Sequence, residues 1–269
     1  MNILDKIIAN KRIEVELAKQ QVSIKELETY VYFNQTVPSL KAFLSDKSKN
    51  GIIAEFKRQS PSKGIINDKV TVPDVVKGYE KTGVSALSIL TDKLFFGGSP
   101  PDLTLGRESV AIPILRKDFI IDPYQIYEAK AIGASAILLI AAALTPKQAK
   151  ELGATAKQLG LDILMEVHNH QELDIMNEYV DVVGVNNRDL KTFELSLQRS
   201  VELSEAMPQA TLKISESGIH SVEDILFLRQ HGFQGFLIGE NFMKQANPAE
   251  ACMAFCAELD LKTDKSHYL

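Results

Sequence analysis

Cysteine, long apolar stretches and surplus positive charge are all scarce in this chain, and each shortage closes off a class of protein. Only two cysteines occur, Cys252 and Cys256. Two thiols do not build a disulfide framework, and two ligands do not make a zinc site. They are expected to be plain, partly buried thiols on one face of a helix, in a reducing cytoplasm. The longest apolar run, Ala136 to Leu144, is far below the roughly 18 residues of a membrane-spanning helix. The N-terminus mixes Asp5, Lys6, Lys11, Arg12 and Glu14 with apolar residues, so no secretory signal is expected there. A net charge of -5 argues against a general nucleic-acid surface. It leaves a small anionic substrate open, because a few cations can be focused into one pocket. No Gly-x-Gly-x-x-Gly fingerprint follows the first expected strand, which disfavours a nucleotide-binding open sheet.

What the chain does have is repetition. Its 269 residues suit a (β/α)8 barrel, which takes about 250. From residue 51 onward, short apolar runs alternate with longer stretches of helical period. Strands are expected at Gly51–Lys57, Ala86–Leu90, Pro113–Lys117, Ala136–Ile140, Asp162–Val167, Val180–Asn186, Thr211–Glu216 and Gly235–Ile238. Between them, segments such as Thr145–Leu159 open on Thr-Pro and stop before a glycine, the chemistry of helix caps. Gly83-Val84-Ser85-Ala86-Leu87-Ser88-Ile89 resembles Gly133-Ala134-Ser135-Ala136-Ile137-Leu138-Leu139, and His231-Gly232-Phe233 leads into Gly235 similarly. Each reads as a glycine closing a helix, followed directly by a buried strand. Eight such units predict a single-domain α/β TIM barrel spanning 1–269. Residues 1–48 form an N-terminal helical extension packed on it, too short to fold alone.

Charge collects where those strands end. Glu55 and Lys57 are two apart, so the strand period of two puts them on one face. Lys117 shares parity with Leu115, and Glu166 with Leu164. Asn186 and Arg188 close the sixth strand, and Glu216-Ser217-Gly218 the seventh. In a parallel barrel such side chains gather at the C-terminal face, where perturbed acid–base groups become possible. A plain Glu55–Lys57 ion pair filling the barrel is the structural alternative. Barrels often hold phosphate between the loops after strands seven and eight. Here those loops offer Ser217-Gly218 and Gly239-Glu240-Asn241, with glycines that let N–H groups approach an anion. Arg58 to Gly64 has the composition of a mobile active-site loop. His168-Asn169-His170 reads as a loop rather than a metal site. His220 and His231 are read as surface or capping residues, and Lys191, Arg199 and Lys213 as solvated.

Several of these stretches together resemble the indole-3-glycerol-phosphate synthase family. They are Ile53-Ala54-Glu55-Phe56-Lys57-Arg58 with Ser60-Pro61-Ser62-Lys63-Gly64, Leu90-Thr91-Asp92 with Phe95-Phe96-Gly97-Gly98-Ser99, and Leu115-Arg116-Lys117-Asp118-Phe119. Asn186-Asn187-Arg188-Asp189-Leu190, Ser215-Glu216-Ser217-Gly218-Ile219 and Leu237-Ile238-Gly239 complete the set in order along the chain. The resemblance implies a lyase of tryptophan biosynthesis that converts 1-(2-carboxyphenylamino)-1-deoxyribulose 5-phosphate to indole-3-glycerol phosphate, carbon dioxide and water, with no cofactor and no metal. It implies Lys117 as the general acid, Glu166 as a proton mover in dehydration, and Lys57 as second acid or carboxylate contact. Glu55 and Asn186 join them in orienting polar groups. Arg188, Glu216 and Leu237 fall to substrate binding, Phe96 to the anthranilate ring, Ser60 to the entrance, and Ser217, Gly218, Gly239 and Glu240 to the phosphate end.

Two departures stand out. Glu240 occupies a place where a small residue is common, so its carboxylate is expected to point away and leave its N–H to the phosphate. Pro100-Pro101 is expected to stiffen the loop after Ser99. The competing family, phosphoribosylanthranilate isomerase, places a cysteine at the end of its first strand, where this chain has Glu55-Phe56-Lys57. A barrel without catalysis should have lost some charged strand ends, and none is missing. The partner is a small molecule, not nucleic acid or membrane. A monomer is expected, and association with other tryptophan-pathway enzymes is left open.

Overall fold

The structure, a computed structural model, describes residues 2–189 and 194–265. Eight parallel strands close into a barrel: β1 (Ile52–Phe56), β2 (Ala86–Leu90), β3 (Ile114–Lys117), β4 (Ala136–Ile140), β5 (Asp162–Val167), β6 (Val182–Asn186), β7 (Lys213–Glu216) and β8 (Gly235–Ile238). Each strand pairs with its sequence neighbours, and β1 closes the ring by pairing β8, with Ile53 opposite Leu237. These are the eight strands read from the sequence, four with the same bounds.

Alternation explains both sides of the sheet. Ile52, Ala54 and Phe56 of β1 face the helix layer, with Ile114, Ile163, Met165 and Phe236, in one continuous apolar interface. Ile53, Ala86, Leu115, Ala136, Leu138, Leu164, Val182 and Ile214 face inward and form a second, smaller cluster. The helix Pro146–Gln158 starts at Thr145, whose side chain accepts from Gln148 N while Gln148 reaches back, so both ends of the capping box are made. Gly83, Gly133 and Gly232 all hold positive φ (77°, 93° and 82°), so the weak sequence repeat marks one recurrent joint from helix to strand.

The residues before β1 treat the two ends of the barrel differently. The short helix Leu40–Ser45 plugs the N-terminal end: Leu40 and Leu44 join the inward cluster, and Asp162 at the start of β5 accepts from Ser39 Oγ and Lys41 N. The N-terminal helix Ile3–Gln21, capped by Asn2 and Asp5, lies across the opposite end. Its buried Lys11 reaches Asp92 beyond β2 and Asp118 beyond β3, at 2.9 and 2.8 Å.

Several surface readings need correction. Lys213 is buried, its stem covered and its ammonium above the Phe233 ring. Long cationic side chains bury their methylenes readily, which a sequence does not reveal. Arg199 is half-buried and donates to Asn187 O and Asp189 Oδ2. Lys191 lies outside the described residues. Pro100 and Pro101 do not stiffen a loop; they form the first turn of the helix Pro100–Ser109, where a missing N–H costs nothing. Within the segment after β1, Gln59–Ser60 and Gly64–Ile65 pair as a small antiparallel ribbon.

Candidate active site

At the C-terminal end of the barrel, Lys117 is the hub. Its ammonium donates to Glu216 Oε2 at 2.5 Å and to Glu166 Oε2 at 3.1 Å. Lys57 pairs with Glu55 at 2.8 Å, and Glu55 also accepts from Ser88 Oγ. The ion pair foreseen as the structural alternative therefore exists, but it lines an open cavity rather than sealing the barrel. All the site residues chosen from the sequence line that one cavity: Glu55, Lys57, Ser60, Phe96, Lys117, Glu166, Asn186, Arg188, Glu216, Ser217, Gly218, Leu237, Gly239 and Glu240.

The cavity has three kinds of wall. Phe96 and Phe119 stand 5.9 Å apart on one side, with Leu138, Ile140 and, from the N-terminal helix, Ile3, Leu4 and Ile7 nearby. The floor is ionic. The opposite side is loop, Ser217-Gly218 after β7 and Gly239-Glu240 after β8. Ser217 is the only non-glycine residue of positive φ (67°) among those described, and Gly218 follows at 74°. Such strain persists where the surroundings over-determine it, often at ligand sites. Here Asn187 does so, donating to Ser217 O and Ser215 Oγ while accepting from Ser200 Oγ.

Two glycines exist for the carboxylates' sake. A Cβ on Gly184 would stand 2.2 Å from Glu216 Oε1, and one on Gly239 would stand 2.5 Å from Glu55 Oε1. Gly239 is thus needed for room beside Glu55, besides any part its N–H plays.

Burial and neighbouring charge then set the protonation states. Burial alone would lower the Lys117 pKa, but Glu216, Glu166 and Glu55 outweigh it and hold the ammonium charged. Glu166 experiences burial too, yet Lys117 and His168 keep it below the ordinary carboxylate range. Glu216 goes the other way: burial, with repulsion from Glu166 and Glu55, pushes it up to about 7 despite Lys117. Two carboxylates sharing one ammonium are driven apart, and Glu216 is the one that takes up a proton first as pH falls.

Outside the cavity, a second charged group steadies the β2 and β3 ends. Asp118 accepts from Lys11, Arg116 and Thr91, and Arg116 reaches Glu128 and Gln125 O. Lys11 and Arg116 outweigh burial and bring Asp118 down to about 2. Arg58, at the root of the segment after β1, grips Asp102 with both nitrogens and Gly97 O, tying that root to the loop that carries Phe96.

One expectation fails here, and one burial was not foreseen. The Glu240 carboxylate does not point away; it sits at the rim 3.7 Å from both Lys63 Nζ and Arg188 Nη2, drawn there by two cations. His168 does lie in the loop after β5, but its ring is buried there between Glu166 and Glu172. His220 and His231 do cap or flank the helix Val222–Gln230. Phe119, Leu138 and Ile140 had a usable signal, inward parity or adjacency to Lys117. Lys11 had none. Among the described residues, no group of three histidines, cysteines or carboxylates is placed to hold a metal.

The model for indole-3-glycerol phosphate synthase matches residues 4–255. The chain belongs to the indole-3-glycerol phosphate synthase family. Its similarity to the synthase of Bacteroides thetaiotaomicron is 48% identity over 254 residues, covering 94% of this chain and 97% of that one. The synthase of Polynucleobacter necessarius is 44% identical over 259 residues, covering 93% and 97%. Among solved structures, a tryptophan synthase α subunit from Legionella pneumophila superposes with a TM-score of 0.62 at 12% identity, covering 86% of this chain and 100% of its own. One from Pyrococcus furiosus gives 0.59 at 14%, covering 78% and 98%. At such identities the likeness concerns the barrel alone. For a synthase of this family, the hub at Lys117 sits where the strand ends of the barrel converge.

Proposed function

We propose that this member of the family carries out the full synthase reaction: ring closure, decarboxylation and dehydration of 1-(2-carboxyphenylamino)-1-deoxyribulose 5-phosphate to indole-3-glycerol phosphate. The observation that carries the reading is Lys117, a buried ammonium held between Glu166 and Glu216, with aromatic rings on one side and glycine loops on the other.

The chemistry suits that arrangement. As the aromatic carbon attacks the ketone, the carbonyl oxygen gains charge and needs a proton; Lys117 supplies it as general acid. An ammonium so firmly paired is a weak acid. Glu216 relieves this, because a carboxyl pushed up to about 7 can carry a proton near neutrality and loosen its hold on Lys117. Loss of carbon dioxide from the carbon that attacked restores aromaticity. Dehydration then needs an acid at the leaving hydroxyl and a base that removes the proton beside it. Glu166, kept ionised, is the base, with Lys57 as second acid or contact for the substrate carboxylate. Glu55 fixes Lys57, while Asn186 accepts from Arg188 N and shapes the sixth strand end. Phe96 with Phe119 receives the anthranilate ring, and Ser217, Gly218 and Gly239 receive the phosphate. Arg188 and Glu240 close the rim near it, Ser60 stands at the entrance, and Leu237 adds apolar lining.

The working unit we propose is a monomer. Free, buried Cys252 and Cys256 suit a cytoplasmic enzyme. Among the described residues, no helix is long and apolar enough to cross a membrane.

The test is direct. Purified protein and the carboxyphenylamino substrate are mixed, and indole fluorescence and released carbon dioxide are followed together. The chain has no tryptophan, so the product is read against tyrosine emission alone. Equal amounts of both products support the reading; no turnover by folded protein refutes it.

A further inference from the structure

One buried titratable group is left unused by that chemistry. His168 follows β5 by a single residue and shares the inward parity of Glu166. Its ring is buried with only 9% of the residue exposed, yet it does not line the cavity. Nδ1 lies 3.1 Å from Glu172 Oε2, and Nε2 lies 3.2 Å from Glu166 Oε1.

The environment of the ring settles its charge. Both nitrogens face carboxylate oxygens, which accept and do not donate, so a proton on each is favoured. The Nε2 contact is off the line of a good hydrogen bond, which leaves charge rather than alignment as its source of attraction. Glu172 is itself fixed. Its Oε2 also accepts from His168 N at 2.7 Å, its Oε1 accepts from Asn169 Nδ2 at 2.6 Å, and its own N–H donates to Asn169 Oδ1. The turn His170–Ile175 thus holds one carboxylate in place against the histidine. The short Ala141–Ala143 turn packs against both β5 and this segment and brings no titratable group. The neighbour of Glu166 on β6 is Gly184. Glu166 therefore meets two cations: Lys117 at Oε2, facing the cavity, and His168 at Oε1, behind it. Burial disfavours charge on the ring, but Glu166 and Glu172 outweigh it and raise the imidazole to about 9.

We propose that His168, backed by Glu172, is a positioning residue that holds Glu166 ionised and turned toward the cavity, so that Glu166 stays a base when Lys117 gives up its proton. The need is electrostatic. Once Lys117 has protonated the ketone, the front cation is lost, and a buried carboxylate without a counter-charge would take up a proton. The imidazolium behind it, isolated from substrate, does not titrate with the reaction and keeps the base available for dehydration.

The inference rests on the base role given to Glu166 above, and the experiment separates the two. Turnover is measured against pH for wild type, His168→Asn, Glu172→Gln and Glu166→Gln, with thermal melting on each preparation. Asn keeps a donor where Nδ1 meets Glu172 and removes the charge facing Glu166. An opposite charge at this range lowers a carboxylate by about 1–3 pH units, so the acid limb of kcat in His168→Asn moves up by about that much. Turnover at pH 5 then falls relative to pH 8, while KM changes little. Glu172→Gln moves the limb the same way and less far, and guards against a failure of His168→Asn to fold. A folded His168→Asn protein whose acid limb stays in place overturns the proposal, whatever its absolute rate, since loose packing alone would not move a pH profile. If Glu166→Gln retains turnover, the base assignment itself is wrong. If Glu166→Gln is inactive and neither other variant shifts the limb, only the inference about His168 fails.

Discussion

The two ends of the barrel interior are built from the same strands and could hardly differ more. Toward the N-terminal ends, Ile53, Leu115, Leu164 and Ile214 meet the plug of Leu40 and Leu44 in an apolar cluster, with Asp162 holding the first turn of the plug at its edge. Two residues further along those strands stand Glu55, Lys117, Glu166 and Glu216. One step of side-chain period thus separates hydrocarbon from ionic chemistry. Buried apolar side chains each contribute about 1.5–3 kcal/mol, whereas buried ions break even at best and need partners to persist. The lower half stabilises; the upper half is tolerated because it acts.

That contrast can be broken at several points. The largest expected effect lies at the bottom: Leu44→Ala should lower stability by about 2–5 kcal/mol through an unfilled cavity. Turnover per folded molecule should not change, and a matching loss of turnover in chemically stable protein would erase the division. At the top, Lys57→Met removes one partner of Glu55 and an anion contact. We expect kcat/KM to fall roughly 10- to 100-fold, shared between binding and turnover, as measured by steady-state kinetics.

The loop wall should respond in binding. Gly218→Asp places a carboxylate beside the phosphate site and should weaken substrate about 10-fold or more. Because Gly218 holds φ 74°, backbone strain must be separated from charge, and Gly218→Asn does so, since Asn tolerates the left-handed region. Equal KM for the two variants would move the phosphate elsewhere.

The smallest effect is a pH dependence. Glu216 is raised from about 4.5 to about 7, so its contribution to stability is fully present below 4.5 and lost as pH rises through 7. Glu216→Gln should therefore melt at or above wild type at pH 8, with the gap closing toward pH 5. A gap that widens toward acid would contradict the raised value.

Much of this was legible in the sequence, for local reasons. A strand's period of two made Glu55–Lys57, Leu115–Lys117 and Leu164–Glu166 readable as inward pairs, and helix-closing glycines gave the joints between units. What was not legible is long-range. Lys11 is one lysine on an amphipathic helix until the fold carries it over to Asp92 and Asp118, some hundred residues away. His168 is in a loop as it looked, but its burial was hidden because it depends on a turn that folds back over the ring. Lys213 and Arg199 looked solvated because their covering comes from other elements. The Glu240 carboxylate was misplaced because its two cations, Lys63 and Arg188, come from loops on different strands.

Lys117 is the one ammonium that the upper half is organised around. In Lys117→Met the length and apolar stem remain and the proton donor is gone. Melting temperature alone decides nothing, because Glu166 and Glu216 lose their shared cation under any reading. The decisive quantity is turnover per folded molecule, measured beside the affinity for a product analogue. Turnover is expected to fall by at least about 10²–10⁴, with affinity largely kept by contacts on other strands. Near-normal turnover in folded Lys117→Met protein would show that the ammonium only holds the barrel mouth together.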